Sequence, residues 1–388
     1  MTDLNLGSLP AVLPFLVSLH GFDYKSVAGL VFASCCLSTV VQPYFGWLAD
    51  RVRRHWFMGA GVLIAGLSFA LVGFLENYWA IFLAVLATGF GSTVFHPEAA
   101  KLVHAASAGK RATGMSLFSV GGKAGFGAGP ILAVLLVTLF GLKGLAFYGI
   151  LALVFGSLLF VFAPVLSKNA GNALPRAAAG KQSAAQSRAG RNDWPAFSRL
   201  TVFIVLRSAC DTGIGAFLPL YCIYSLGTSE ATGGFMVSAL AAAGILCTLI
   251  GGPLGDRYGC ERMIRIGSFL LIPALAAAFL THSLFLLVAM LVPISFAFNV
   301  TYSPFVVLGQ NYLAKSIGFA SGVTLGVSFS AGGILAPALG WLGDAYGVDL
   351  TMAALVALAL LAHAVTWTLP RGSGRPESEP GAGRLRTA

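Results

Sequence analysis

The chain has 388 residues, 57% of them hydrophobic and only 10% charged, with a mean hydropathy of +0.84. Soluble domains carry roughly 25% charged residues, so this composition excludes an ordinary water-soluble enzyme. The net charge of +10 would suit a nucleic-acid binder, unless the basic residues sit in the loops of a membrane protein.

A helix that crosses a bilayer needs about 20 predominantly apolar residues. In chain order the apolar stretches predict twelve spans, over 2–19, 26–49, 56–75, 79–98, 112–139, 144–164, 198–225, 232–254, 263–281, 284–308, 316–341 and 350–369. The runs are continuous and lack the alternation of a membrane barrel. They predict an all-α integral membrane fold of twelve transmembrane helices in two pseudo-symmetric six-helix halves. The halves are expected over 1–164 and 197–370, joined by a flexible linker over 165–196 that is rich in Ala, Gly, Ser, Gln and Arg. A disordered tail is expected over 371–388. No cleavable signal peptide is visible.

The loops decide the meaning of the charge. Of the 24 Lys and Arg residues, 20 fall on one side of the predicted topology, two (Lys25 and Lys143) on the other, and two (Lys123 and Arg207) within spans. The positive-inside rule makes the richer side cytoplasmic, with both termini inside, and removes the case for nucleic acid. Cys35, Cys36, Cys210, Cys222 and Cys247 lie in apolar stretches and Cys260 in a basic loop, without disulfide-framework or metal-ligand spacing.

The halves repeat one another. Gly46-Trp47-Leu48-Ala49-Asp50-Arg51 closes span 2, and Gly252-Pro253-Leu254-Gly255-Asp256-Arg257 closes span 8, with 206 residues from Asp50 to Asp256. Gly7 and Gly213, and Asn5 and Asp211, share that offset; Pro130 and Pro337 are 207 apart. Span 11 ends in a third copy, Gly340-Trp341-Leu342-Gly343-Asp344, with Ala345 where the cytoplasmic ends carry Arg. Several motifs at one offset mark an internal repeat.

Gly46 to Arg54 and Gly252 to Arg262 resemble the loop motif of the major facilitator superfamily. More narrowly, Ser92-Thr93-Val94-Phe95-His96-Pro97-Glu98, Ser116 to Gly122, Ser303-Pro304-Phe305 and Gly309-Gln310 resemble the fosmidomycin-resistance branch. The resemblance covers nearly all of the chain outside linker and tail. It implies a proton-driven efflux transporter of the bacterial inner membrane, with a small molecule, protons and the bilayer as partners, and a monomer. Lys123 and Asn311 depart from that branch, which tends to have Asn and an acid there. An importer or uniporter on the same fold is the alternative. No nucleotide loop or paired metal ligands point to an enzyme, and no cofactor is implied.

The candidate residues follow from this frame. Asp50, Arg51, Arg54, Glu98, Asp256 and Arg257 are expected to gate the cytoplasmic side, since a carboxylate near a helix end can hold an Arg or a neighbouring helix N-terminus. Glu98 is expected to pair with Arg51 or Arg54. Ionisable residues within spans are costly and default to function, so Asp3 and Asp211 are candidates for proton coupling. Lys123 and Arg207 are candidates for an anionic substrate; the alternatives are an internal pair of Lys123 with Asp3 or Asp211, and of Arg207 with Asp211 one turn on. Asn5, Gln42, Asn299, Tyr302 and Gln310 either line the cavity or stitch helices together. His96, before Pro97, is a pH-sensitive element or a structural histidine. Gly125 and Gly129-Pro130 resemble part of the antiporter motif of exporters, with helix packing as the alternative.

Overall fold

The structure is a computed structural model, and it describes residues 1–52, 56–107, 110–172, 192–280 and 282–370. Among these are twelve long helices and no strand: α1 (Thr2–His20), α2 (Tyr24–Arg51), α3 (Trp56–Leu71), α4 (Tyr78–Ala106), α5 (Arg111–Phe140), α6 (Ala146–Asn172), α7 (Trp194–Tyr224), α8 (Glu230–Tyr258), α9 (Cys260–Phe279), α10 (Leu284–Tyr312), α11 (Ile317–Tyr346) and α12 (Val348–Thr366). Eleven are long and apolar enough to cross a membrane, and α2, at 28 residues, has the length for it. Single 3-10 turns follow α3 (Val72–Phe74) and precede α6 (Leu142–Leu145).

Starts and stops obey local chemistry. Asp23, Asn77, Asp193, Ser229 and Ser283 each cap the next helix through a side-chain oxygen. Prolines lie inside most helices, for example Pro97 in α4 and Pro304 in α10. A bundle in lipid tolerates them because neighbouring groups re-satisfy the freed backbone.

The expected linker is shorter at both ends. Helix α6 runs on to Asn172, since extending a formed helix by two turns costs little. Helix α7 begins at Trp194, where the Asp193 carboxylate accepts the Ala196 N–H at 3.0 Å and Pro195 suits the first turn. Residues 173–191 of the linker and the tail from 371 lie outside the described residues. Cys260, expected in a loop, is instead the buried first residue of α9.

Three large apolar clusters hold the bundle, beside a small one at Met58, Ala99 and Ala163. One lies within the first half, around Leu16, Phe69, Ile81 and Tyr148. A second lies within the last six helices, around Tyr221, Leu275, Ile294 and Leu355. The third joins the halves, placing Ala100, Ala112 and Met115 against Phe197, Ile264, Phe305 and Leu308. Across the halves α2 packs on α11 and α5 on α8. The repeat relates these two pairs, because α8 corresponds to α2 and α11 to α5. On the outside, Ile131, Leu139 and Phe285 are exposed, as side chains that face hydrocarbon are.

Candidate functional site

The ends of α2 and α8 build the first element of the site. The N-termini of α5 and α11 receive no side-chain cap from their own N-cap residues, Lys110 and Ser316. Their first N–H groups would stay orphaned, and the opposite half supplies the acceptors. The Asp50 carboxylate accepts from Gly318 N at 2.8 Å and Phe319 N at 2.9 Å. The Asp256 carboxylate accepts from Ala112 N at 2.9 Å, Thr113 N at 2.8 Å and the Thr113 hydroxyl at 2.6 Å. Each half thus caps the other, at symmetry-related places.

Close backbone approach makes this possible. A Cβ at Gly46 would collide with the Gly318 carbonyl. One at Gly322 would stand 2.5 Å from the carbonyl oxygen of Gln42.

The cationic partner of Asp50 differs from the expectation. It is Lys101 of α4, whose Nζ lies 3.4 Å from Asp50 Oδ1 and donates to Ala49 O at 2.5 Å. Buried Glu98 lies within electrostatic reach of Lys101 and Asp50. Arg51 is exposed, its guanidinium 4.1 Å from the centre of the Trp47 ring, and Arg257 lies over the Tyr258 ring at 5.3 Å. Arg54 lies outside the described residues. The same face carries two more bonds between halves. His104 Nδ1 meets Gln310 Oε1 at 2.7 Å, with Gln310 Nε2 donating onward to Ser321 at 2.8 Å. Arg111 donates to Asn311 at 3.2 Å.

Deeper in the first half, two residues singled out for different reasons meet. Asp3 Oδ1 lies 3.2 Å from His96 Nε2, and His96 Nδ1 lies 2.8 Å from the Ser92 carbonyl. Gly122 of α5 leaves room for the carboxylate, since a Cβ there would stand 2.8 Å from Asp3 Oδ2. Gly129, with Gly125, packs α5 on α1: a Cβ at Gly129 would stand 2.5 Å from Leu4 O, and one at Gly125 3.3 Å from Leu4 N. Pro130 follows within the same helix. These motif glycines bring α5 close to α1. Asn5 is fully buried, and neither polar atom of its side chain has a hydrogen-bond partner among the described residues. Gln42 is buried at the α2–α11 contact, with Nε2 likewise unpartnered.

Midway along the bundle two cations converge on one ring. Lys123 Nζ donates to the Thr248 hydroxyl at 2.8 Å and to Asn299 Oδ1, both in the other half. It lies 5.7 Å from the centre of Tyr302, and Arg207 lies 5.9 Å from the same ring. Arg207 is 4% exposed and donates to Thr301 Oγ1 at 3.1 Å and Phe298 O at 2.9 Å. Its guanidinium reaches Asp211 only at 4.0 Å, and the Asp211 side chain is 55% exposed. The direct partners of Lys123 are therefore neutral oxygens, not Asp3 or Asp211. A small apolar cavity beside Arg207, bordered by Phe203, Leu271 and Phe298, lies inside the second half and not between the halves.

The profile of the Major Facilitator Superfamily matches residues 1–337. The chain belongs to the Major Facilitator Superfamily. Within it, the chain is 27% identical over 367 residues to the uncharacterized MFS-type transporter YfnC of Bacillus subtilis, covering 93% of this chain and 88% of that one. It is 27% identical over 363 residues to the fosmidomycin resistance protein of Escherichia coli, with the same two coverages of 93% and 88%. Among solved structures, the human organic anion transporter MFSD10 superposes with a TM-score of 0.72 at 17% identity, covering 94% of this chain and 96% of that one. This superfamily member is a multi-pass membrane transporter, and the cross-half caps fall on its two repeated loop motifs.

Lys101, Thr248, Thr113 and His104 complete the site and were not legible as site residues. Lys101 carried a signal in retrospect, standing one turn after Glu98 on the same helix. The others are ordinary helix residues whose partners lie on the opposite half.

Proposed function

We propose that the protein exports a small anionic or amphiphilic compound from the bacterial cytoplasm in exchange for protons, by alternating access across the inner membrane. The observation that carries the reading is the mutual capping by Asp50 and Asp256, which ties the halves together on one face. The basic loops lie on that face, so it is cytoplasmic under the positive-inside rule, and both termini lie inside. Among the described residues, each hydrogen bond between halves lies on this face or at Lys123. Among the described residues the opposite face carries none, as suits a state open to the outside.

Proton coupling falls to Asp3 with His96. The Ser92 carbonyl can only accept, so His96 Nδ1 carries a hydrogen. The contact of Nε2 with a carboxylate oxygen at 3.2 Å then holds one further proton, on the imidazole or on Asp3. The pair is a one-proton site at membrane depth. Lys123 and Arg207 attract the substrate's negative charge beside Tyr302. Asn299, Gln310, Gln42 and Asn5 supply polar groups around the path, and Asp211 is a counter-charge 4.0 Å from Arg207. A fosmidomycin resistance protein and a multi-drug resistance efflux pump among the relatives support export.

The test is transport into inverted membrane vesicles driven by an imposed pH gradient. Accumulation of the exported compound should collapse when a protonophore is added. Undiminished accumulation would exclude proton exchange.

A further inference from the structure

Lys123 occupies an unusual place among the bonds between halves. The others cluster on the capped face, near the ends of α2, α4, α5, α8, α10 and α11. Lys123 sits 12 residues into α5 from Arg111, about 18 Å deeper at the rise of an α-helix. Its acceptors are prepared in advance. Thr248 donates its own hydroxyl hydrogen to Gly244 O at 2.7 Å, leaving its lone pairs for the ammonium. Asn299 donates from Nδ2 to Ser295 O at 2.7 Å, which turns Oδ1 toward Lys123. Both acceptors are neutral, so the direct hydrogen bonds of the ammonium go to dipoles and not to a carboxylate. Arg207 adds a second cation across the Tyr302 ring, with the carboxylates of Asp3 and Asp211 within electrostatic reach of that ring.

We propose that the substrate is an organic acid with an aromatic or apolar body, and that its acidic group binds by taking Lys123 away from Thr248 and Asn299. Lys123 is then both receptor and tie. A carboxylate or phosphonate monoester oxygen outcompetes two neutral acceptors for an ammonium, because it adds the attraction of opposite charges in a low-dielectric site to the hydrogen bond. The body of the acid stacks on Tyr302. Binding breaks the deepest bond between the halves, so the ligand's charge is converted directly into freedom of the halves to rock apart. A neutral isostere makes no such exchange. This inference rests on the anionic part of the export reading and not on its proton coupling.

Hydrogen exchange on the purified full chain reads the tie without labels. The backbone N–H groups of Ala112, Thr113, Gly318 and Phe319 are protected only while the capped face is closed. Naphthoate and benzoate should speed exchange in the peptides that carry them, and naphthamide should not. Asn299→Ala removes a competing acceptor and leaves Lys123 in place. It should bind naphthoate several-fold more tightly than the wild type does, and show faster exchange at these amides with no ligand present. Asn299→Asp supplies a resident carboxylate and should bind naphthoate about tenfold more weakly.

If Asn299→Asp does not fold, Asn299→Ala alone decides, because a purely structural Lys123 predicts equal or weaker binding there. A wild type whose amides ignore both acids overturns the proposal, as does an Asn299→Ala variant that binds naphthoate no more tightly. Protonophore-sensitive export in the same preparation would show that the export reading outlives such a result.

Discussion

At the scale of single residues, the useful signal was charge in the wrong place. Asp3, Lys123, Arg207 and Asp211 stood out because hydrocarbon makes an idle charge expensive. What the sequence could not show was who meets whom. Asp3 and His96 are 93 positions apart and belong to different motifs, yet they form one pair. Lys123 meets two neutral oxygens, a pairing no charge pattern announces. Asp50 takes Lys101 rather than a neighbour from its own basic run, because Lys101 lies on α4 beside the end of α2.

If Asp3 and His96 hold the coupled proton, Asp3→Asn removes a protonation site while keeping a hydrogen-bonding amide of the same size. In proteoliposomes it should abolish export driven by a pH gradient and spare downhill exchange of substrate for substrate. Gradient-driven export at the wild-type rate would move the proton to Asp211.

At the scale of elements, the helices were legible because apolar length and capping residues both declare them. Their ends were less so: α11 runs to Tyr346, past the expected 341, until Gly347 stops it at a φ of +91°. The glycines of α5 illustrate why a motif alone is ambiguous. Gly129 touches α1 closely, whereas Gly121 and Gly127 have open space where a Cβ would go.

Two opposite outcomes follow within one helix. Gly129→Val should separate α1 from α5 and lower the melting temperature by several degrees, since overpacking costs about 1–3 kcal/mol. Gly121→Ala and Gly127→Ala should leave it unchanged or raise it slightly, as Ala is favoured over Gly in a helix by up to about 1 kcal/mol. Thermal unfolding in one detergent separates these cases. Equal melting temperatures for Gly129→Val and the wild type would show that the close approach carries no stability.

At the scale of the whole molecule, the repeat at 206 residues predicts more than a shared ancestry of halves. It places Asp50 and Asp256 as equivalents, and the structure adds that each acts on the other half. A cap by a charged side chain is worth about 1 kcal/mol, and up to about 2 kcal/mol in partly buried geometry at a helix N-terminus. About 1.4 kcal/mol is a tenfold change in an equilibrium. Asp50→Ala or Asp256→Ala should therefore shift the balance between the two faces by about tenfold toward opening the capped face. The two caps are separate contacts broken by one rigid-body motion, so their effects should add, and the double variant should shift it by about a hundredfold. Spin-label distances between the capped ends of α2 and α11 would measure the shift directly. A double variant that shifts no further than either single one would mean that breaking one cap already releases the other, and that the two halves come apart at this face as hinged pieces and not as one body.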